Sequence, residues 1–177
     1  MSYWIYYPKL GSACYIKRSI KPFIALNTLK TIYYSYFNAI IRYGLPSSGN
    51  SSHAIKLFSK HKRIVRIMMS CKNRISCRNL FRRLEILPFV FQYILLLMLF
   101  VVKNKNLFIF NSETHIKITT TFNNLFQTIT NFTIYQSGVH YMGIKIFNNH
   151  PSHIKDISNN GWKFEICWKQ FLHIHSF

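Results

Sequence analysis

The chain has 177 residues, with 23 Lys and Arg against four Asp and Glu, and a formal net charge of +19. Apolar residues make up 49%, which is enough to bury a core and is unlike a disordered segment. The four acids, Glu85, Glu113, Asp156 and Glu165, are scattered, which excludes two-metal polymerase, nuclease and phosphatase sites and paired-carboxylate glycosidases. No independent catalysis is expected. A charge of this size implies a polyanionic partner, nucleic acid first and an anionic membrane surface second.

Met1 to Leu10 is aromatic and interrupted by Pro8. It lacks the basic start and continuous apolar run of a secretory signal, so an intracellular location, nucleus or cytoplasm, is expected. Residues 1–26 are set apart as a lead-in to a helical domain over 27–105. The first periodic segment is Asn27 to Tyr43, where Leu29, Ile32, Tyr33, Tyr36, Phe37 and Ile40 make one broad apolar face. Asn27 is the expected N-cap, Gly44 the expected stop, and Leu45 to Ser52 the turn that follows.

The segment His53 to Ser70 is the most informative. At helical spacing Ala54, Leu57, Phe58, Ile64, Val65 and Met68 fall on one side, and Lys56, Lys60, Lys62, Arg63 and Arg66 on the other. No acid interrupts the positive run from Lys56 to Leu84, whereas a merely solvated helix face mixes signs. A short helix opening near Ser76 carries Arg78, Arg82 and Arg83 on its exposed turns. With Arg74 these make nine candidate phosphate ligands, and Lys72 brings the basic residues between positions 56 and 83 to ten of the 23. Charge so concentrated points to a sequence-independent nucleic-acid contact.

Pro88 opens a strongly apolar stretch. From Ile86 to Val102 it is 17 residues, about 25 Å as a helix, against a hydrocarbon core of about 30 Å. A central core helix is the preferred reading. A membrane span with Lys103 and Lys105 as interfacial anchors is the alternative. Asn111 to Asn131 is rich in Thr and Asn without a clear period, and residues 106–136 are expected to be irregular, with room for a short strand. Residues 137–177 are expected as a helical extension, with a short helix at Tyr141 to Asn148, a turn at His150-Pro151, and a last helix from Trp162 to His173.

Cys14, Cys71, Cys77 and Cys167 form no C-x-x-C pair, and His173 and His175 make at most half a metal site. Reduced thiols, and no metal or cofactor, are expected. The fold class that follows is mostly α: a small helical bundle with an irregular extension.

Several strings resemble, in order and spacing, the region after the palm in jockey-like reverse transcriptases of non-long-terminal-repeat retrotransposons. They are Lys9-Leu-Gly-Ser-Ala-Cys-Tyr15, Ser19-Ile-Lys-Pro22, Leu29-Lys-Thr-Ile-Tyr-Tyr-Ser-Tyr-Phe37, Tyr43-Gly44 and Gly49-Asn-Ser-Ser52. Arg63-Ile-Val-Arg-Ile-Met-Met69, Cys71, Ser76-Cys-Arg78, Phe81 and Ile86-Leu-Pro88 continue the series. Tyr141-Met-Gly-Ile-Lys-Ile-Phe-Asn148 and Ile154-Lys-Asp-Ile157 complete it. The similarity spans roughly residues 9–176.

The resemblance implies a thumb-like helical bundle that grips the backbone of a template-primer duplex. The palm with its paired aspartates would lie upstream of residue 1, so the chain is expected to be a non-catalytic remnant. Three departures stand out: Ser48 where the family has Trp, His150 where it has Leu, and the loss of the basic pattern around Thr119 to Asn124. Such drift is what a decaying element copy shows. A decayed reading frame with no selected activity and a small membrane-associated protein are the alternatives to a nucleic-acid-binding remnant.

Overall fold

The computed structural model describes residues 6–48, 54–111, 124–127, 131–150, 155, 157 and 160–175. The chain divides into two compact units, 1–93 with 172–177, and 94–171. The protein is mostly α. Among the described residues the only β pairing is one antiparallel bridge, Phe110 to Leu125.

The first unit begins with α1, Tyr6–Ile20, where a lead-in was expected. Its buried residues are Leu10, Ala13, Cys14 and Lys17, the i, i+3, i+4, i+7 stripe of an amphipathic helix. Two small residues and a lysine disguise that stripe in the sequence. Pro8 falls in the first turn, where its missing N–H breaks no bond. This helix packs along the helix at Ala54–Met68, so it is part of the core.

The second element runs without a break through α2 (Leu26–Ile32), a π-helical segment (Tyr33–Phe37) and α3 (Asn38–Ser48). Its buried residues are Leu29, Tyr33, Phe37, Ile41 and Leu45, four apart throughout. A pure α-helix would wind such a series steadily around its surface, because four residues exceed the 3.6 of one turn. The wider π turn rotates less per residue and offsets the drift. Ile32, Tyr36 and Ile40 therefore lie off the buried stripe. Gly44 does not stop the helix; burial of Leu45 carries it through Gly44 and Pro46 to Ser48. Residues 49–53, the rest of the expected turn, lie outside the described residues.

α4 spans Ala54–Met68 and α5 spans Arg78–Leu84. Both close with a six-to-one hydrogen bond, Cys71 N–H to Arg66 O at 2.9 Å and Ile86 N–H to Phe81 O at 3.0 Å. The residue inside each loop is left-handed without being glycine, Ser70 at φ 55° and Glu85 at φ 57°.

α6, Phe89–Lys103, crosses from the first unit into the second after Tyr93. Among the described residues no single helix is long and apolar enough to cross a membrane. α5 and α6 reach that length and composition only as a pair bent by 54°. Leu95, Leu97, Met98, Leu99, Val101 and Val102 are all buried, as in a core helix.

In the second unit α6 is followed by a 3₁₀ turn at Lys105–Leu107, α7 (Thr133–Gln136), α8 (Val139–Asn148) and α9, Gly161–His175, which ends in the first unit. The stretch expected to be irregular is pinned at its described part. The Asn148 amide accepts from Leu125 N–H at 2.8 Å and donates to Leu125 O at 2.9 Å, standing in for a β partner. Lys155 Nζ donates to Asn124 Oδ1 at 2.7 Å and to Asn148 O at 3.0 Å. Residues 112–123, 128–130 and 151–154 lie outside the described residues, and so does Asp156.

α8 approaches α6 closely at Gly143, where a Cβ would stand 2.8 Å from Val101 Cγ2. Valine is stiff at χ1 and Val101 is buried, so the clash has no cheap relief. Gly143→Ala should therefore lower stability by about 1 kcal/mol despite the better helix propensity of alanine. Ser70→Gly should raise stability by about 1 kcal/mol by relieving the left-handed backbone. Chemical denaturation of each variant checks both signs.

Candidate nucleic-acid interface

The nine basic candidates belong to the first unit, and the structure sorts them by surroundings. Lys56, Lys60, Lys62, Arg63 and Arg66 ride on α4, whose buried face is Leu57, His61, Ile64, Val65 and Met68. The sequence reading had Ala54 and Phe58 on that face and missed His61; both are only half-buried. The cations do not form one continuous face. Lys60 and Lys62, two residues apart, point to opposite flanks.

Lys60 Nζ lies 4.5 Å over the Tyr7 ring of α1. Lys62 Nζ lies 4.5 Å over the Phe58 ring, on the flank that faces the 76–78 turn and α5. Arg66 shares that flank and is anchored there, its Nε donating to Ile75 O at 3.0 Å. Lys56 and Arg63 are exposed, as are Arg74, Arg78, Arg82 and Arg83. Arg82 lines an open cavity of about 500 Å3 with Glu85, His173 and Ile174. A carboxylate beside it makes Arg82 the least suited of the nine to a phosphate. Glu85 also pairs with Lys30 at 3.5 Å, an exposed contact of small weight.

Beneath this surface lies a polar core that no sequence pattern announces. Gln92 Nε2 donates to Leu87 O at 2.8 Å and to Tyr33 Oη at 3.2 Å, and Tyr33 Oη lies 2.7 Å from His61 Nε2. Burial pushes the Tyr33 hydroxyl well above its ordinary range, so it stays protonated. Receiving from Gln92, it donates to His61 Nε2, which places the imidazole proton on Nδ1. That Nδ1 is buried without a partner. Tyr33, Phe37 and Phe81 surround the ring, and burial lowers the His61 pKa to about 3. His61 is thus a neutral core histidine.

Lys17 is the second buried polar group. Only 2% exposed, its Nζ donates to Leu29 O at 3.0 Å and Met68 Sδ at 3.7 Å and sits 5.0 Å from the Tyr33 ring centroid. Burial lowers its pKa to about 7, against a small opposing pull from Cys14. Cys14 itself is buried, its Sγ donating to Lys60 O at 3.9 Å, and burial raises its pKa. All four cysteines are free. Among the described residues no cluster of three His, Cys, Asp or Glu could hold a metal ion.

In the second unit His150 stacks edge-on against Trp168 at 4.3 Å, with Nε2 buried and unpartnered. Burial, assisted by Lys155, lowers its pKa to about 4.

No protein-family model, curated protein or solved structure matches the chain.

The two buried bases of the first unit tie stability to pH in one direction. Between about 6.5 and 3 the unfolded chain binds a proton that folded His61 refuses, so stability falls as pH drops through that range. Between about 10.5 and 7 the same holds for Lys17, so stability climbs as pH rises through that range. The midpoint of thermal unfolding should rise from pH 5 to about pH 9, above which the buried thiols, with pKa values raised from 9.0, begin to oppose it. Lys17→Met should stabilise the fold at pH 7 by about 1–3 kcal/mol and flatten the alkaline part of the curve. Calorimetry across pH on both chains checks the two claims.

Proposed function

We propose that this chain is a non-catalytic, sequence-independent nucleic-acid-binding module, a remnant of the thumb and downstream region of a jockey-like reverse transcriptase. What carries this reading is the concentration of positive charge on α4, α5 and the residues between them, spread over both flanks of α4. There ten basic residues stand within 28 positions, none followed by an acid before Glu85. Lysine and arginine on rigid helices meet phosphates at fixed positions and ignore base identity, which suits a grip that must move along any duplex. The order and spacing of the family-like strings supply the lineage, and the scattered acids supply the absence of chemistry.

Lys56, Lys60 and Arg63, on the flank of α4 toward α1, are assigned to the duplex backbone. Five to seven phosphate contacts in all would give a slope of log affinity against log salt of about −4 to −6. Changing Lys56, Lys60 and Arg63 together to Gln should flatten that slope by about two to three units. Fluorescence anisotropy of a blunt RNA–DNA hybrid across a salt series measures it. An unchanged slope would remove this flank from the interface.

A further inference from the structure

The other flank of α4 carries a different kind of site. Lys62 and Arg66 stand one turn, about 6 Å, apart along the helix, and Arg78 opens α5 beside them. Together they rim an open groove of about 440 Å3. Its floor is Phe58, Phe81, Pro88 and Phe91, with Val90 at the edge. Phe81 is covered, while Phe58, Pro88 and Phe91 keep part of their surface open and Val90 is 52% exposed.

Two observations narrow what fits. The rim is pre-set: Lys62 Nζ already lies over the Phe58 ring, and the Ile75 carbonyl holds the Arg66 guanidinium in place. The charge is one-sided as well, since no carboxylate is among the described residues that line the groove. A hydrocarbon chain would leave three cations unmatched. A bare phosphate would leave the open ring surface of Phe58 and Phe91 unused. A ligand that answers both has a flat aromatic body with negative charge on either side.

We propose that the groove seats one unpaired base of a nucleic-acid strand, stacked against Phe58 and Phe91, with its flanking phosphates on Lys62, Arg66 and Arg78. This rests on the nucleic-acid reading above and sharpens it. A base inside a duplex is already stacked and paired on both sides, so the groove selects a duplex that carries a single-stranded extension. Stacking is indifferent to base identity, which keeps the contact sequence-independent.

The test uses the full chain and three labelled probes: a blunt RNA–DNA hybrid, the same hybrid with a three-nucleotide extension, and that extension built from abasic units. The two extended probes carry the same phosphates, so their affinity ratio isolates the base. The base-bearing extension should bind about tenfold more tightly than the abasic one. Phe91→Leu should bring that ratio close to one. Val90→Glu, at an exposed position that folding tolerates, should do the same by placing a carboxylate at the groove edge. Helicity by circular dichroism verifies that each variant is folded.

Equal binding of the two extended probes with a steep salt slope would overturn the groove assignment and leave the duplex grip standing. A tenfold ratio surviving in folded forms of both variants would also overturn it. Failure of all three probes to bind would sink the nucleic-acid reading, and the groove with it. Displacement of the extension by an acidic, phenylalanine-containing peptide at lower concentration than by a free oligonucleotide would reassign the groove to a protein ligand.

Discussion

The hydrogen-bond relay from Gln92 through Tyr33 to His61 determines how three elements of the first unit meet. It joins the start of α6, the π-helical segment and the middle of α4 at one point. A buried donor or acceptor left without its partner costs more than the bond contributes when made, so each member constrains the other two. The π turn belongs to the same constraint. It keeps Tyr33 and Phe37 on one stripe, against the ring of His61. With His61 held inward, the rotation of α4 about its axis is set, and the cations have only the two remaining flanks to occupy.

That arrangement has an electrostatic consequence. A chain carrying a net +19 repels itself in the folded state more than in the expanded one. The first unit adds a buried ammonium with no carboxylate against it among the described residues, held by a carbonyl, a thioether and an aromatic face. Both terms act against folding; the first diminishes when the surface meets a polyanion, the second when the pH rises. An anion that binds only the folded chain stabilises it by mass action. Any such binding would be linked to folding more closely here than in a protein with balanced charge.

Most helices were legible in the sequence to within a few residues: α4, α5, α6, α8 and α9 stand close to where the sequence places them. α1 was not, because Ala13, Cys14 and Lys17 hold inward positions that large apolar residues would normally advertise. The end of α3 was misjudged for a related reason. Gly44 and Pro46 are local stop signals, but a stop signal is a weak preference, and burial of Leu45 overrides it. In the interface the nine candidates were visible as charge. Their division between a flank beside Tyr7 and a flank beside Phe58 was not, because it depends on which elements cover α4. Phe58 itself was assigned to the core face and lies at its margin, where it can line a groove.

The sequence by itself determined the class of the fold, the scarcity of carboxylates, and the concentration of positive charge between positions 56 and 83. Composition and helical period are properties of the chain one segment at a time, and these conclusions need nothing more. The tertiary structure alone decided that a lysine and a histidine are interior, that a π turn aligns the second helix, and that Lys62, Arg66 and Arg78 share one groove with Phe58, Phe81 and Phe91. Each of these depends on residues far apart in the chain, such as Lys17 with Met68 or Phe58 with Phe89, becoming neighbours. Burial and pairing belong to the packed arrangement, because the cost of an inward polar group is set by what surrounds it and not by what precedes it in sequence.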